Sequence, residues 1–555
     1  MMYFRIKKTQ YAHYLQLVES KRVDGKPRQT VLMTLGKLDE TGATLNVLDS
    51  LLISGARLSE KLAVLAEHDR ADVPVCDRLV RGPDLVFGKL WKETGIQSVL
   101  KHLLKGRKFG FDVERAIYIT VLHRIMVSGS DLSCDVWRQN QDIPGQKGLS
   151  LHQFYRAMEW LGESLDEWND SDPFDRRYRT QQIEEILFQK HRDLFTELGM
   201  VFFDTTSLFF EGQGGRELGQ FGYSKDRKSD RHQMIVGIVI DDQGHPICMQ
   251  MWPGSTSDVT TLGPLADRLK HRFGVNRMCV VCDRGMISGA NLRELEQAGI
   301  HYIIGTRMRN DTVVKDEILR SRGRYSIVRD HRLSPKDLAP LKVKSIQHDE
   351  GRYIICLNEE EAVAESLKRD ALIQSLRKKL KQGNKHLVGN SGYRRYLKQT
   401  GPVFSIDKDK IRDDARFDGK YVLKTTLTLP AEEIALKYKE LYRIERVIRQ
   451  VKHTLKTRPI FHQTDSNIRG HVFCSFLALK LLKELEQRLY TNGSALSHDR
   501  LCHELNEVYT SAVTVGSKRY AIRSSIGPLA SEAIRAVGAN FDQKICQITQ
   551  EDSDL

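Results

Sequence analysis

Three apolar runs in quick succession constrain this chain more than anything else in it: MVFFDT, MIVGIVID and PICMQMW, the last two joined by the turn DDQGH. Each has the length of a strand and is bounded by turn residues, so three consecutive strands are predicted. A helix follows over SDVTTLGPLADRLKHRF, with Ser257 as its cap and Asp258 in its first turn. Next come a strand MCVVCD, a helix over SGANLRELEQAG closed by Gly299, and a strand HYIIGT. This order predicts an α/β fold on a mixed sheet in which the first and fourth strands are neighbours. Asp204, at or near the end of the first strand, and Asp283, ending the fourth, are therefore expected at one sheet edge. Two carboxylates that close repel unless a divalent cation neutralises them, and hard oxygen ligands suit Mg²⁺ or Mn²⁺. Either aspartate alone reads better as a strand-end turn residue or a helix cap.

A third ligand is expected on a helix beside those strands. In YKELYRIERVIRQVKHTLKTRP, the residues Tyr438, Leu441, Glu445, Ile448 and Lys452 share one side of a predicted helix. Glu445 is surrounded there by Arg443, Arg446, Arg449, Lys452, Lys456 and Arg458. One acid in so basic a helix is either half of a surface pair with Arg449, worth a few tenths of a kcal/mol at most, or a metal ligand among phosphate-binding side chains.

The flanks of this core divide by periodicity. Residues 1–43 alternate as a β-hairpin turning at Asp24-Gly25, with Lys21, Arg22, Lys26 and Arg28 on its exposed face. Residues 44–198 are mostly helical and are the candidate DNA-reading region, as in VERAIYITVLHRIM and LHQFYRAMEWLGESL. Residues 199–306 form the first part of the core and 307–430 a β-rich insertion with one long polar helix from near Asn358. The core resumes over 431–489 as one strongly helical stretch, and 490–555 is a tail without an interpretable motif. The formal charge of +14 favours an anionic partner, nucleic acid ahead of membrane. MMYFRIKK lacks an apolar core of secretory length, so a cytoplasmic location is expected. Cys279 and Cys282 have zinc-like spacing but lie in an apolar run with no second pair, and are expected as two buried strand thiols.

FFDTT, GYSKDRKSDRHQMIVGIVIDDQGHPI, GSTSDVTTL, CDRGM and RPIFH, spread over most of residues 200–480, together resemble the DDE transposases of bacterial insertion sequences. The branch they are most similar to has a ribonuclease-H-like fold, a β-rich insertion before the glutamate and a Y-(2)-R-(3)-E-(6)-K signature. The resemblance implies Asp204, Asp283 and Glu445 as the three metal-binding catalytic acids, with two Mg²⁺ or Mn²⁺ ions and no nucleotide cofactor; GQGGRE lacks the Gly-Lys-Ser/Thr ending of a phosphate loop. The signature tyrosine falls on Tyr438 and its lysine on Lys452, while its arginine position holds Leu441 and Arg443 lies about 200° round a helix from it. Tyr438, Arg449, Lys452, Lys456, Lys225 and Arg227 are the implied DNA contacts. The activity implied is cleavage at the ends of an insertion sequence and transfer of the freed 3′-hydroxyl into target DNA, by a homodimer or larger assembly that synapses two double-stranded ends. A ribonuclease-H-like endonuclease or resolvase without strand transfer, and a non-catalytic DNA-binding descendant, are the alternatives.

Overall fold

The computed structural model describes residues 2–9, 12–23, 26–38, 76–165, 176–191, 199–275, 278–286, 288–329, 338–382, 391–400, 403–515, 518–540 and 545–548. The chain divides into two compact units, one of residues 1–82, 505–527 and 540–555, the other of residues 83–504 and 528–539.

The smaller unit contains the predicted hairpin, His13–Val23 against Lys26–Leu38, with Met2–Lys8 as a third antiparallel strand. The turn at Asp24-Gly25 and residues 39–75 lie outside the described residues. Lys21 on this sheet is paired with Glu19 at 3.0 Å. Two expectations are corrected in this unit. Cys76–Val80, read as part of a helical region, is a strand, and the supposed tail supplies its partners. Tyr509–Val515, Lys518–Arg523 and Ile545–Ile548 complete an antiparallel four-stranded sheet with it. Cys76–Val80 is too short to show its period clearly, and its partner Tyr509–Val515 is more than 400 residues away in sequence.

The larger unit is built on a nine-stranded mixed sheet. Its strands are β1 (Met200–Phe209), β2 (Gln233–Asp241), β3 (Pro246–Pro253), β4 (Cys279–Cys282) and β5 (His301–Gly305). They continue as β6 (Ser326–Arg329), β7 (Leu341–His348), β8 (Gly351–Leu357) and β9 (Lys420–Thr425). The order is β6-β7-β8-β9-β5-β4-β1-β2-β3. β1, β2 and β3 form an antiparallel meander, and β4 pairs parallel with both β1 and β5. The first and fourth strands are neighbours, as the strand and helix order predicts, and the arrangement is the ribonuclease-H-like one that the resemblance implies. The insertion, by contrast, is not a separate sheet: β9 pairs antiparallel with β5, so β6 to β9 extend the core sheet. Backbone groups on the open side of β5 would otherwise be unpaired, and the returning strand satisfies them.

Helices cover both faces. α1 (Leu262–His271) and α2 (Gly289–Gln297) pack through Leu262, Leu265, Leu269, Leu292 and Leu295 on Val201, Phe203, Val280 and Cys282 of one face. Ser288 caps α2 by accepting from the Asn291 N–H at 3.1 Å. Helix α1 starts later than predicted, because Ser257 to Thr260 form a separate 3₁₀ turn that frees the Asp258 side chain. On the opposite face lie α3 (Ala431–Lys439), α4 (Tyr442–Arg449) and α5 (Asp465–Thr491). The single helical stretch predicted after Pro430 is thus broken, with a π-helical turn over Gln450–Thr454 after α4. α3 is fixed to the sheet where Tyr438 meets Gly305, and α4 where Arg443 donates to the Asp242 carbonyl at 2.6 Å, on either side of the break at Glu440 and Leu441. Val113–Met126 and Leu151–Leu161 are helices as predicted and pack on α5. No helix among the described residues is long and apolar enough to cross a membrane.

Candidate active site

β4 is only four residues long, and this creates the site. Its parallel pairing with β1 runs Met200↔Cys279, Val201↔Val280, Phe202↔Val281 and then stops, while β1 continues to Phe209. Continuing that register by two residues sets Asp204 opposite Asp283. Asp204 is therefore in the middle of its strand, not at its end, and what ends there is the neighbour. Val201 and Phe203 belong to the core beneath α1 and α2, so strand alternation turns Phe202 and Asp204 to the other face, toward α4.

On that face Asp204, Asp283 and Glu445 line one cavity of about 300 Å³, together with Tyr421, Tyr438, Lys439, Leu441 and Tyr442. Glu445 is the acid of the first turn of α4 and has no ion-pair partner among the described residues, so the surface pair with Arg449 is not formed. Ile444 and Val447 are fully buried and hold α4 on the sheet. Burial pushes the Asp204 carboxyl up to about 6; Lys225 and the Thr205 N–H pull it down, and Asp283 and Asp258 push it up again. Tyr438 stacks on Tyr421, ring centroids 5.9 Å apart, and burial with the Asp283 charge raises its hydroxyl well above the usual range, so it stays a proton donor.

The donor set suits a hard divalent cation: oxygen ligands only, two acids in register, and a buried carboxyl whose charge is under-compensated. Among the described residues no three acid, imidazole or thiol groups are close enough to hold one ion. A pair of ions spaced by about 4 Å needs no such triple cluster, because acids spread along one cavity can each serve one ion or bridge two.

The transposase DDE domain, as a family model, matches residues 198–481, a little over half of the chain, and the N-terminal domain of IS1634 family transposases matches residues 4–64. The chain belongs to the DDE transposases of bacterial insertion sequences. It is a DNA transposase, an enzyme of phosphodiester hydrolysis and transesterification, and membership favours that reading over the two alternatives. A comparison with curated protein sequences gives no match. Among solved structures the chain is similar to the piggyBac transposase synaptic complex with hairpin DNA, at 10% identity and a TM-score of 0.35, over 77% of this chain and 78% of that one. It is also similar to the Mos1 transposase paired-end complex with left transposon end, at 14% identity and a TM-score of 0.15, over 35% and 60% respectively.

The cations expected to contact DNA divide into two groups in this transposase. Arg227, Arg449 and Lys456 are exposed, and no ion pair involves them among the described residues. Lys225 and Lys452 are ion-paired: the Lys225 ammonium is 3.0 Å from Asp258, and that of Lys452 is 3.0 Å from Asp226. Each is bonded to a carboxylate to which sequence reasoning gave no part in the site, Asp258 having been read as a first-turn acid of the following helix and Asp226 not singled out. The glycine stretch GQGGRE is tied down at its end, with the Glu217 and Leu218 N–H groups donating to Asp465 at 3.1 and 2.9 Å. Cys279 and Cys282 are buried free thiols, as expected.

Proposed function

We propose that Asp204, Asp283 and Glu445 are the catalytic carboxylates of this transposase and that they hold two Mg²⁺ or Mn²⁺ ions against the scissile phosphate. The observation that carries this is their convergence: three acids from strands and a helix separated by the whole insertion line one cavity. Bound there, the ions would supply an activated water or 3′-hydroxyl and stabilise the leaving oxygen.

The chain's own residues do the rest. Asp204 and Asp283 present anionic oxygens from adjacent strand positions, and Glu445 presents its carboxylate across the cavity. Tyr438, protonated and beside Asp283, is a donor for a phosphate oxygen. Arg449, Lys456 and Arg227 contact the backbone of double-stranded DNA, where their contribution falls with salt. The working form is a homodimer or larger assembly synapsing two element ends before joining them to target DNA, in the cytoplasm. No nucleotide is consumed, because the 3′-hydroxyl exchanges one phosphodiester for another.

The test is incubation of the purified protein with DNA flanking its own gene and Mg²⁺, followed by mapping of nicks and joined strands. Nicks at the element ends and joined 3′ ends are expected from the wild-type chain. An Asp204→Ala or Asp283→Ala protein that still cuts would refute the assignment.

A further inference from the structure

We infer that the consecutive residues Lys225 and Asp226 form a strap that sets the position of the Glu445 helix against the strand of Asp204, with Asp258 as a counter-anchor. The inference rests on the assignment of the three acids above. The two residues lie in a tight turn between β1 and β2: the Arg227 N–H donates to the Ser224 carbonyl at 3.1 Å and the Lys228 N–H to the Ser224 hydroxyl at 3.0 Å. Arg227 has a φ of 58°, a left-handed conformation that reverses the chain there.

Lys225 grips β1. Its N–H donates to the Ser207 hydroxyl at 3.1 Å, and its ammonium donates to the Thr205 carbonyl at 2.8 Å and the Thr205 hydroxyl at 2.6 Å, with Asp258 as third partner at 3.0 Å. The Thr205 hydroxyl in turn donates to Asp258 at 2.6 Å. All three ammonium protons thus have acceptors, and the residue so fixed directly follows Asp204. Thr205 points to the face opposite Asp204 by alternation, so this clamp lies on the α1 side of the sheet.

Asp226 grips the other side. One oxygen is 3.0 Å from the Lys452 ammonium, in the π-helical turn that continues α4, and the other contacts Arg458. Side-chain exposure is 15% for Asp226, 9% for Lys452 and 13% for Arg458, so this is a largely desolvated three-charge cluster. Such clusters stabilise little compared with apolar packing of the same volume, whereas their bonds are directional. β1 and α4 lie far apart in the chain, and the apolar contacts of Ile444 and Val447 resist separation more than sliding, which Arg443 checks only through the turn after β2. Two adjacent residues holding opposite sides of β1 fix the register that apolar contact leaves loose.

The strap is tested on the full-length protein with Asp226→Asn, Asp226→Glu and Lys225→Arg, using Asp204→Ala as control. Three quantities are read: the melting temperature of DNA-free protein without metal, the Mn²⁺ concentration giving half of its metal-induced rise, and the single-turnover nicking rate on an end duplex at saturating DNA. For Asp226→Asn the Mn²⁺ midpoint is expected to rise and nicking to slow, each by about 10- to 100-fold, with end affinity unchanged or tighter and partial recovery in Asp226→Glu. A merely structural role lowers the metal-free melting temperature and moves neither of the other two. Wild-type midpoint and rate in Asp226→Asn, with both lost in Asp204→Ala, overturn the strap and leave the acids standing. A metal response and cutting that persist in Asp204→Ala overturn the acid assignment itself. Should Asp226→Asn not melt cooperatively, Lys225→Arg carries the same test, with the same expected and overturning results.

Discussion

The ammonium of Lys452 lies 3.0 Å from the Asp226 carboxylate, on a side chain only 9% exposed. Burial lowers its affinity for a proton and Asp226 restores part of it. A cation neutralised in this way contributes little to the salt dependence of DNA binding. Titrations of end duplex from low to moderate salt are therefore expected to show the wild-type slope in Lys452→Ala. In Arg449→Ala and Lys456→Ala, whose native side chains are exposed, the slope is expected to fall by about 0.9 for each phosphate that is no longer neutralised. A drop of that size in Lys452→Ala would contradict the inward role.

Asp204 bears a desolvation cost whenever it is ionised without a cation. Its folded pKa is raised from 3.8 to about 6, so the cost is absent well below the unfolded value, builds as pH rises between the two, and is complete above about 6. Asp204→Asn should accordingly stabilise the metal-free protein at pH 8 by on the order of 1–3 kcal/mol and by much less at pH 4. It should also abolish nicking. Melting curves at the two pH values check the first statement and an end-cleavage assay the second; a destabilised Asn variant at pH 8 would contradict the first.

Two histidines in the helices behind the sheet, His123 and His471, are buried and neutral, and His462, in the loop before α5, lies beside them at 3.4 Å from Asp131. Burial and the Arg124 charge push His123 down to about 3 and His471 well below its usual value, and His462 is lowered too, chiefly by burial. A depressed histidine is protonated in the unfolded chain before the folded one, so stability is lost as pH falls below about 6.5, by ~1.4 kcal/mol per pH unit for each group. Asp204 and Glu184, raised to about 6 and about 7, act in the opposite sense over part of that range, so the contribution of one histidine is read by difference. From pH 7 to 5 the melting temperature of the wild type should change less favourably than that of His123→Gln, and identical pH profiles would contradict the burial of a neutral His123.

α5 approaches the helix Leu151–Leu161 closely enough that backbone meets backbone. A Cβ added at Gly470 would strike the Met158 carbonyl oxygen, and one at Gly162 the Ser466 carbonyl oxygen. Neither obstacle is a flexible side-chain tip, so relief requires moving a helix. Gly470→Ala is expected to cost at least about 2 kcal/mol in urea unfolding, against less than 1 kcal/mol or even a gain for alanine at an exposed helical site. An unchanged midpoint would show that the helices can part freely.

Much of the core was legible in the sequence because its information is local. Apolar runs such as MIVGIVID and PICMQMW can only be buried strands, and Gly299 and Ser288 mark the limits of α2. Asp204 and Asp283 stood out because each interrupts or ends such a run. Glu445 stood out by its sign among basic neighbours. Only family likeness, not periodicity, ranked them above turn residues and surface pairs.

The tertiary structure decided what depends on partners distant in the chain. Whether β9 pairs with β5 and makes the insertion part of the sheet is fixed by backbone hydrogen bonds that leave no mark on side-chain period. Asp204 reads as a strand end in the sequence, yet it is β4 that ends, and a strand's length is set by its neighbour. The break between α3 and α4 lies between two anchoring contacts, with no proline or glycine to announce it. A lysine looks the same in one dimension whether it meets water or a carboxylate. Lys225 and Lys452 are held by Asp258 and Asp226, through contacts whose strength depends on distance and burial, and only the folded chain defines those.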